Sequence, residues 1–585
     1  MEVSRQRFIG GAAAVGLSVG LWPKAAMAES SCIMRLGVVS DTHIGRTSES
    51  CRRAKLAMEL FRSLGVDAVI NCGDIAELHY PTGYVAYREM MDNVFSGGLS
   101  RPLEVYAYAW HDACAYRGRW GSVVQDAPQA FDDVQKLLKA PNGHTASFKF
   151  NGYRFLIMPQ FTGCKGFLSW KEYEKAVASA CRETPDRPVF VIDHVPPFAT
   201  VYCSGNWGSW QARQILNRYP QVVVLSGHVH GSLRNDMLIW QREFTVINAG
   251  CLQEWSGHFA NASPAVRQSY GVVTVDVYPE QLLVRRWDIR DRSEIGSNRR
   301  WSIPLPFSAK DAPYRIDNRR RDEIPPQFRT QDALTVSCEG MPFSGWRLKF
   351  PGDTPDAMCY RVAVQSRDVS GSWRTFASRE VISEYWMRPS ERTGGAECFL
   401  PDVLFEPSRR YRFAVTPVGQ YGSVGKELSV EVTAPKEFRA STVVFESKDP
   451  ANEYGFFRAS GDKARHRSNT DGFCGPTGAD RNFLKLPTGA FKGSAGARFR
   501  LVLDMQTFLP RDGAVWYAKL WDAAEGRAVS GRIVMPAGEV RTQYVFDYVK
   551  KDESKTDTCY VCFEWSGGGK VRFCGVKLVR FEKER

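Results

Sequence analysis

Five short apolar runs, each followed closely by an aspartate or a histidine, constrain this chain more than any other feature. The runs occupy positions 33–39, 66–70, 103–108, 189–192 and 222–225. Apolar runs this short and continuous are typical of buried parallel strands that are covered on both faces. In open α/β sheets, ligands bind beyond the carboxyl ends of such strands. The sequence therefore predicts an α/β domain whose functional site is built from strand-end loops.

The side chains that follow these runs have the chemistry of a metal site. They are Asp41, His43, Asp74, His111, His194, His228 and His230. Carboxylate and neutral imidazole together suit Mn, Fe or Zn better than Ca or Mg, and one carboxylate can bridge two ions roughly 3.5–4 Å apart. A single histidine after a strand is more often a core or surface residue, so the ordered series, not any one member, favours divalent metal binding.

In this order, Asp41-Thr42-His43, Gly73-Asp74, His111, His194 and Gly227-His228-Val229-His230 resemble the motifs of the calcineurin-like metallophosphoesterases. The resemblance covers roughly residues 33–290. It implies a two-sheet α/β sandwich that hydrolyses a phosphodiester or phosphomonoester, with a metal-bound hydroxide as the nucleophile. It assigns one metal to Asp41, His43, Asp74 and His230, and a second metal to Asp74, His194 and His228. The catalytic residues that it implies are Asp74, as the bridge, and His111, which would contact the phosphate and assist the leaving group.

The chain departs from the family pattern at one position. Where the family has an asparagine ligand, this sequence reads Ala109-Trp110-His111-Asp112. An indole nitrogen only donates hydrogen bonds, so Trp110 cannot bind a metal ion. We expect the second metal to have one ligand fewer and the indole to crowd the site, unless Asp112 supplies the missing ligand. The alternative function is a catalytically degenerate binding or adhesion protein, because a fold alone does not establish chemistry.

The amino terminus predicts export. Arg5 and Arg7 precede an apolar stretch at 8–21, and Ala26-Met27-Ala28 offers small residues for cleavage, so residues 1–28 are interpreted as a signal peptide. The apolar stretch is short for a membrane span, so we expect no such span in the mature, periplasmic or extracellular chain. Some of the fifteen cysteines are expected to pair in an oxidising compartment, and the odd number leaves at least one free.

Local patterns fill in the first domain, which we place at residues 30–310. Apolar residues at helical spacing predict a crossover helix at Ser48–Leu64 and a second helix at about 170–181. Asn151-Gly152 predicts a tight hairpin turn. The segments 271–277 and 282–287 predict a closing hairpin around Pro279-Glu280.

The rest of the chain predicts two all-β sandwich domains. Charged residues at 311–326 indicate a linker, and short alternating strands beyond it resemble a fibronectin type III domain at 325–436. Residues 440–585 predict a jelly-roll-like sandwich whose aromatic residues are candidates for binding carbohydrate, with a place in the core as the alternative: Trp516, Tyr517, Trp521 and Trp565. Because every expected ligand precedes the linker, hydrolysis of a small ester is expected to survive removal of residues 327–585.

The net charge of +13 favours an anionic substrate or surface, with solubility as the simpler explanation. The sequence has no dense basic run of the kind that marks nucleic-acid binding. The expected partner is therefore a phosphate ester.

Overall fold

The protein is described from a computed structural model. The described residues are 31–77, 81–97, 101–117, 123–143, 145–164, 167–253, 270–296, 299–329, 333–339, 345–368, 370–401, 405–436, 441–458, 481–509, 515–524, 526–530, 533–535, 538–551, 557–566 and 570–581. The expected signal peptide lies outside them. Within these ranges, no helix combines the length and apolar character needed to cross a bilayer.

The amino-terminal part alternates strands and helices. Its strands are β1 (Met34–Val39), β2 (Ala68–Asn71), β3 (Leu103–Tyr106), β4 (Ala146–Phe150), β5 (Tyr153–Met158), β6 (Val189–Asp193), β7 (Val222–Ser226), β8 (Ile239–Gln241), β9 (Thr245–Asn248), β10 (Gly271–Val277), β11 (Gln281–Asp288), β12 (Ser293–Glu294) and β13 (Trp301–Pro304). Its helices are α1 (Ser48–Leu64), α2 (Thr82–Val94), α3 (Trp110–Arg117), α4 (Val123–Leu138), α5 (Trp170–Glu183), α6 (Ser204–Trp207) and α7 (Trp210–Leu216).

These strands form two sheets. One has the order β12-β11-β10-β1-β2-β3, with β13 beside β11, and the other has the order β4-β5-β6-β7-β9-β8. Strands β1, β2 and β3 are parallel, as are β5, β6, β7 and β9. Apolar side chains of both sheets share one core, with Leu36 and Ile70 from the first and Ile192 and Leu225 from the second. Helices α1, α2 and α4 cover the outer face of the first sheet, and α5 and α7 cover that of the second. The predicted two-sheet α/β sandwich is confirmed.

Helix α1 shows how local sequence fixes this packing. The Thr47 side chain caps its first turn through Ser50, and Gly65 ends it with a left-handed φ of 60°. The ring of Phe61 lies against β1 at Gly37, where an added Cβ would approach Phe61 Cγ to 2.8 Å. The helix therefore packs closely on the sheet and connects two parallel strands, as predicted.

The other local predictions for this part are also confirmed. Asn151 and Gly152 both have positive φ, at 46° and 81°, which is what a two-residue hairpin turn requires. Strands β10 and β11 pair antiparallel and form the predicted closing hairpin. The helix expected at about 170–181 is α5, which begins at a Ser169 capping box.

The remaining elements are almost all strands. They are β14 (Thr335–Glu339), β15 (Gly345–Pro351), β16 (Cys359–Arg367), β17 (Trp373–Ile382), β18 (Gly395–Pro401), β19 (Arg410–Val418), β20 (Leu428–Thr433), β21 (Ser441–Ser447), β22 (Phe456–Arg458), β23 (Arg481–Lys485), β24 (Arg498–Leu509), β25 (Val515–Asp522), β26 (Arg527–Ala528), β27 (Ile533–Met535), β28 (Gly538–Val549), β29 (Cys559–Ser566) and β30 (Lys570–Phe581). Two short helices, α8 (Ile316–Asp322) and α9 (Pro450–Tyr454), and the 3-10 turns Asp236–Leu238, Glu384–Trp386 and Pro389–Glu391 complete the list.

Strands β14 to β20 form a sandwich that we call the middle sandwich. A three-stranded sheet, β14-β15-β18, faces a four-stranded sheet, β17-β16-β19-β20, across a shared apolar core. Strands β21 to β30 form a second sandwich from the sheets β21-β30-β24-β28 and β22-β23-β29-β25-β26, with β27 beside β25. The predicted fold class, an α/β domain followed by two all-β sandwiches, is confirmed.

The segment expected to be a linker is more ordered than its charge suggested. Residues 316–322 form α8, and the Arg319 guanidinium donates to the carbonyl oxygen of Asp236 at 2.6 Å. The Glu323 carboxylate accepts from the backbone N–H of Tyr421 at 2.8 Å and of Ser423 at 2.9 Å. The charged residues therefore attach the linker to the parts on either side of it.

The cysteine expectation needs a correction. The thirteen cysteines whose side chains the structure describes are all free thiols, so the expected pairing does not occur among them. Cys559 and Cys562 lie on β29, and only Cys559 belongs to the core between the two C-terminal sheets, which fits thiols on opposite faces of a strand.

Candidate metal centre

The proposed ligands follow the carboxyl ends of parallel strands in both sheets. Asp41 and His43 follow β1, Asp74 follows β2, His194 follows β6, and His228 and His230 follow β7. Backbone hydrogen bonds join these loops, because Asp41 N donates to Gly73 O at 3.0 Å and His43 N donates to Asp74 O at 3.0 Å. Gly227 N donates to His194 O, also at 3.0 Å. The sandwich thus brings all the predicted ligands to one end of the sheets.

Strained backbone is concentrated at these ligands. Positive φ values occur at Asp41 (53°), His43 (43°), Asp74 (52°), His228 (70°) and His230 (44°). This conformation is uncommon outside glycine and costs of order 1–3 kcal/mol at each residue, so it persists only where the surroundings enforce it. Such clustering is typical of a functional site.

Gly227 allows the His-x-His loop to approach Asp41. A Cβ at this position would lie 1.7 Å from Ser40 Oγ and 2.6 Å from Asp41 Oδ2, so no side chain fits. The close approach lets His228 N donate to Asp41 Oδ2 at 3.0 Å. Gly227 therefore holds the two loops in contact and leaves the other oxygen of Asp41 available.

The first group of ligand atoms surrounds that oxygen. Asp41 Oδ1 is buried and accepts no hydrogen bond from the described residues. It lies 3.1 Å from His230 Nε2 and 3.8 Å from His43 Nε2, and these two nitrogens are 3.4 Å apart. A buried carboxylate oxygen facing two imidazole nitrogens is a donor set that fits a transition-metal cation.

The second group centres on Asp74. Asp74 Oδ2 lies 3.2 Å from His194 Nε2, which is 3.2 Å from His228 Nδ1. The same oxygen lies 3.8 Å from His43 Nε2 in the first group. The other ring nitrogen of His194 contacts Cys72 O at 2.9 Å, which places a proton on Nδ1 and leaves Nε2 for a metal. Asp74 lies between the two groups, as a bridging carboxylate must.

The electrostatics of the site favour ionised carboxylates. Burial opposes the charge on Asp41, but His230 and His194 outweigh burial and hold its pKa well below its usual range. Burial also lowers the pKa of His194, yet Asp74 and Asp41 dominate and raise that pKa to about 9. Burial and the neighbouring His194 lower the pKa of His228 to about 4, so His228 is neutral and ready to coordinate.

Glu77 is a site residue that the sequence interpretation missed. Its carboxylate contacts His43 Nδ1 and lies 3.3 Å from His111 Nδ1. The backbone N–H of His111 donates to Asp74 Oδ1 at 3.1 Å. Glu77 therefore fixes the ring of one proposed ligand and faces the proposed catalytic histidine. The available signal was an acidic residue in the loop that carries Asp74.

Trp110 does not fill the role expected of it. It begins α3, and its backbone N–H donates to Gln160 Oε1 at 2.7 Å. Its ring packs 5.7 Å from that of Phe161, beside the core under the first sheet. The expectation that the indole crowds the metal site is therefore wrong, because the ring packs against the apolar core instead.

Asp112 does not have the surroundings expected of the missing ligand. Its carboxylate is buried and accepts from backbone N–H groups of the Asp74 loop and of Ala109, and from the Tyr84 hydroxyl. Burial and the nearby Asp74 raise the pKa of Asp112 to about 7. These contacts give Asp112 a structural role in holding the Asp74 loop.

Comparison with protein families gives a match over the region that carries this site. Residues 34–232 match the family model described as calcineurin-like phosphoesterase. Among solved structures, the chain is similar to a dimetal phosphatase from Danio rerio, with 11% identity and a TM-score of 0.32, over 47% of this chain and 99% of that one. It is also similar to carbohydrate-binding modules of the β-sandwich superfamily, with 9% identity and a TM-score of 0.11, over 43% of this chain and 96% of that one. No curated protein matches the sequence.

The family match and the clustered His and Asp side chains define the amino-terminal part as a metallophosphoesterase domain. The protein is accordingly a phosphate-ester hydrolase that uses divalent metal ions.

Proposed function

We propose that the protein hydrolyses a phosphodiester or phosphomonoester with two divalent ions, Mn, Fe or Zn, held at the site described above. The observation that carries the proposal is the position of Asp74 Oδ2, which lies 3.8 Å from His43 Nε2 and 3.2 Å from His194 Nε2. His43 is grouped with Asp41 and His230, and His194 with His228. Asp41, His43, Asp74 and His230 would hold one ion, and Asp74, His194 and His228 the other. When bound, such ions polarise the phosphate and activate water as a nucleophile.

The chain's own residues supply the remaining requirements. His111 lies beside Asp74 at the start of α3, and its ring faces the Glu77 carboxylate. Burial lowers the pKa of the His111 imidazole, and the Asp74 and Glu77 carboxylates oppose this shift by favouring the protonated form. We therefore assign His111 to contact the substrate phosphate and to deliver a proton to the leaving oxygen, and Glu77 to hold the ring. The clustering of the six candidate ligands supports an active hydrolase over the degenerate binding protein; they are Asp41, His43, Asp74, His194, His228 and His230.

The other parts of the proposal concern the rest of the chain. We propose domain boundaries at 30–310, 325–436 and 440–585, and export directed by residues 1–28. The fibronectin type III assignment of the middle domain is supported by its three-plus-four-stranded sheets and by Tyr411, whose hydroxyl accepts from Glu406 N at 2.6 Å as in a tyrosine corner. Carbohydrate binding by the last domain is supported by Trp521, which is partly exposed on β25. The side chains of Trp516 and Trp565 are outside what the structure describes.

Hydrolysis of chromogenic p-nitrophenyl mono- and diesters with added Mn²⁺ tests the function. Asp74→Asn should lose Mn²⁺ from both sites and reduce turnover by more than about 100-fold, beyond the range seen for outer-sphere contacts to a metal. Asp67→Asn is the matched control, because Asp67 lies at the opposite end of β2 and accepts from Arg35 N. Unchanged metal content in Asp74→Asn would remove the basis of the proposal.

A further inference from the structure

The segment that follows the His-x-His loop contacts the middle sandwich through Arg234 and Asn235. The ring of His230 lies beside the Cys251 thiol, which is completely buried. Cys251 follows β9, the strand that pairs with β7 and so supports the same loop from behind. The residues that pack around Cys251 therefore influence the position of the His230 ring.

Cys251 is covered by the middle sandwich. It forms a small apolar cluster with Trp386, which is only 2% exposed, and Met358, Ile382, Tyr385 and Met387 pack against this pair. In that cluster, Cys251 alone comes from the metallophosphoesterase domain. We call residues 382–387 of the middle sandwich the clamp segment. Because a buried side chain in a close-packed interior moves little, packing against the Trp386 indole restricts movement of the Cys251 side chain.

The clamp segment is itself held rigidly. The Trp386 indole N–H donates to Met358 O at 2.8 Å. The Glu384 carboxylate accepts from the backbone N–H groups of Thr393 at 2.8 Å and Gly394 at 2.7 Å. These hydrogen bonds hold the clamp segment, and with it the Trp386 side chain, in one position.

Two hydrogen bonds tie the residues just beyond His230 to the same sandwich. The Tyr385 hydroxyl donates to Arg234 O at 2.9 Å, and Gln420 Nε2 donates to Asn235 Oδ1 at 2.8 Å. Asn235 in turn caps the 3-10 turn that follows, through Met237 N at 2.8 Å. The middle sandwich therefore holds the chain at two places near His230: at Arg234 and Asn235, just after the His-x-His loop, and at Cys251 beside the His230 ring.

We infer that the middle sandwich is part of the metal centre: Trp386, acting through Cys251, positions His230 to bind the first metal. Trp386 is a positioning residue, since it touches neither the ligand atoms nor a substrate. The inference rests on the proposed function only in requiring that Asp41, His43, Asp74 and His230 hold a metal ion. It predicts that disturbing the clamp weakens the first site and leaves the second site, with His194 and His228, unchanged.

Calorimetric titration of the full chain with Mn²⁺ tests this inference. The His230→Ala variant identifies the binding phase that belongs to the first site. Trp386→Ala should weaken that phase by about 10–100-fold, the effect typical of residues that orient metal ligands, and Trp386→Phe should restore most of it. Trp373→Ala is the control, because Trp373 lies on β17 of the same sandwich and packs 4.9 Å from the Arg367 guanidinium.

Several results would overturn the inference. A Trp386→Ala titration identical to wild type does so, as does equal weakening of both phases. If Trp386→Ala does not fold, Tyr385→Phe replaces it, since this change removes only the hydroxyl bond to Arg234 O; an unaltered first phase then counts against the inference. Wild-type protein that binds no Mn²⁺ removes the inference and the proposed function together, whereas bound Mn²⁺ without hydrolysis contradicts the function alone.

Discussion

The role of Asp112 gives a prediction with a magnitude that follows from the structure. Asp112 Oδ1 accepts from Ile75 N at 3.0 Å, Ala76 N at 3.4 Å and the Tyr84 hydroxyl at 3.0 Å. Asp112 Oδ2 accepts from Asp74 N at 3.1 Å and Ala109 N at 3.0 Å. One fully buried carboxylate thus satisfies five donors and connects the Asp74 loop to the start of α3.

Asp112→Asn keeps the shape of the side chain but converts one acceptor oxygen into a donor. In the better of its two orientations, the amide oxygen takes the place of Oδ1 and still accepts from three donors. The amide NH₂ takes the place of Oδ2, so the two N–H groups there lose their acceptor. Each buried donor left unsatisfied costs about 1–3 kcal/mol. The substitution should therefore destabilise the metallophosphoesterase domain by roughly 2–6 kcal/mol, a large share of the 5–15 kcal/mol typical of a domain.

Differential scanning calorimetry of the full chain measures this loss, with two tyrosine variants for calibration. Tyr84→Phe removes one of the five bonds and should cost about 1–2 kcal/mol. Tyr108→Phe should be nearly neutral, because the buried Tyr108 hydroxyl has no hydrogen-bond partner in the described part of the chain. If Asp112→Asn melts with wild type but binds Mn²⁺ more weakly, Asp112 is a metal ligand after all and this reasoning is refuted.

Two further predictions concern the metal ions. The pKa of His194 is raised from an ordinary 6.5 to about 9, so folding favours its protonated form. In the metal-free protein, protonation of His194 should therefore stabilise the fold fully below pH 6.5, and this stabilisation should be lost as the pH rises through 9. The metal-free protein should lose about 3 kcal/mol of stability over this pH range. Mn²⁺-loaded protein, whose His194 is neutral, should not show this loss. Melting temperatures of the two forms that change in parallel from pH 6 to 10 would contradict the prediction. Because Trp110 stands where the family has an asparagine ligand, the second metal would keep three protein ligands. Mn²⁺ titration of wild type should therefore show one tight and one weaker site, not two equal ones.

The sequence was informative wherever a short-range rule applied. Apolar runs predicted the parallel strands, and helical spacing predicted α1 because its capping box and its terminal glycine are local signals. The meeting of the candidate ligands was predictable for a similar reason, since the carboxyl ends of parallel strands lie at one end of a sheet. Glu77 was missed because an acidic residue in a loop has no periodic pattern, and its role depends on which rings face it.

Trp110 and Trp386 show where sequence reasoning stops. Trp110 lies next to the His111 motif, and Trp386 lies in the predicted middle sandwich. Nothing in the sequence around either residue distinguishes its role from that of an ordinary core aromatic. The Trp110 ring packs against Phe161 beside the core under the first sheet, and that core is built in part by helices distant in sequence. Trp386 lies far along the chain from Cys251, yet the two are buried together. The expectation that residues 327–585 are dispensable followed from the order of the ligands alone. The contact at Cys251 argues against it, because removing the middle sandwich would expose the residue behind His230 and free the loop that carries it.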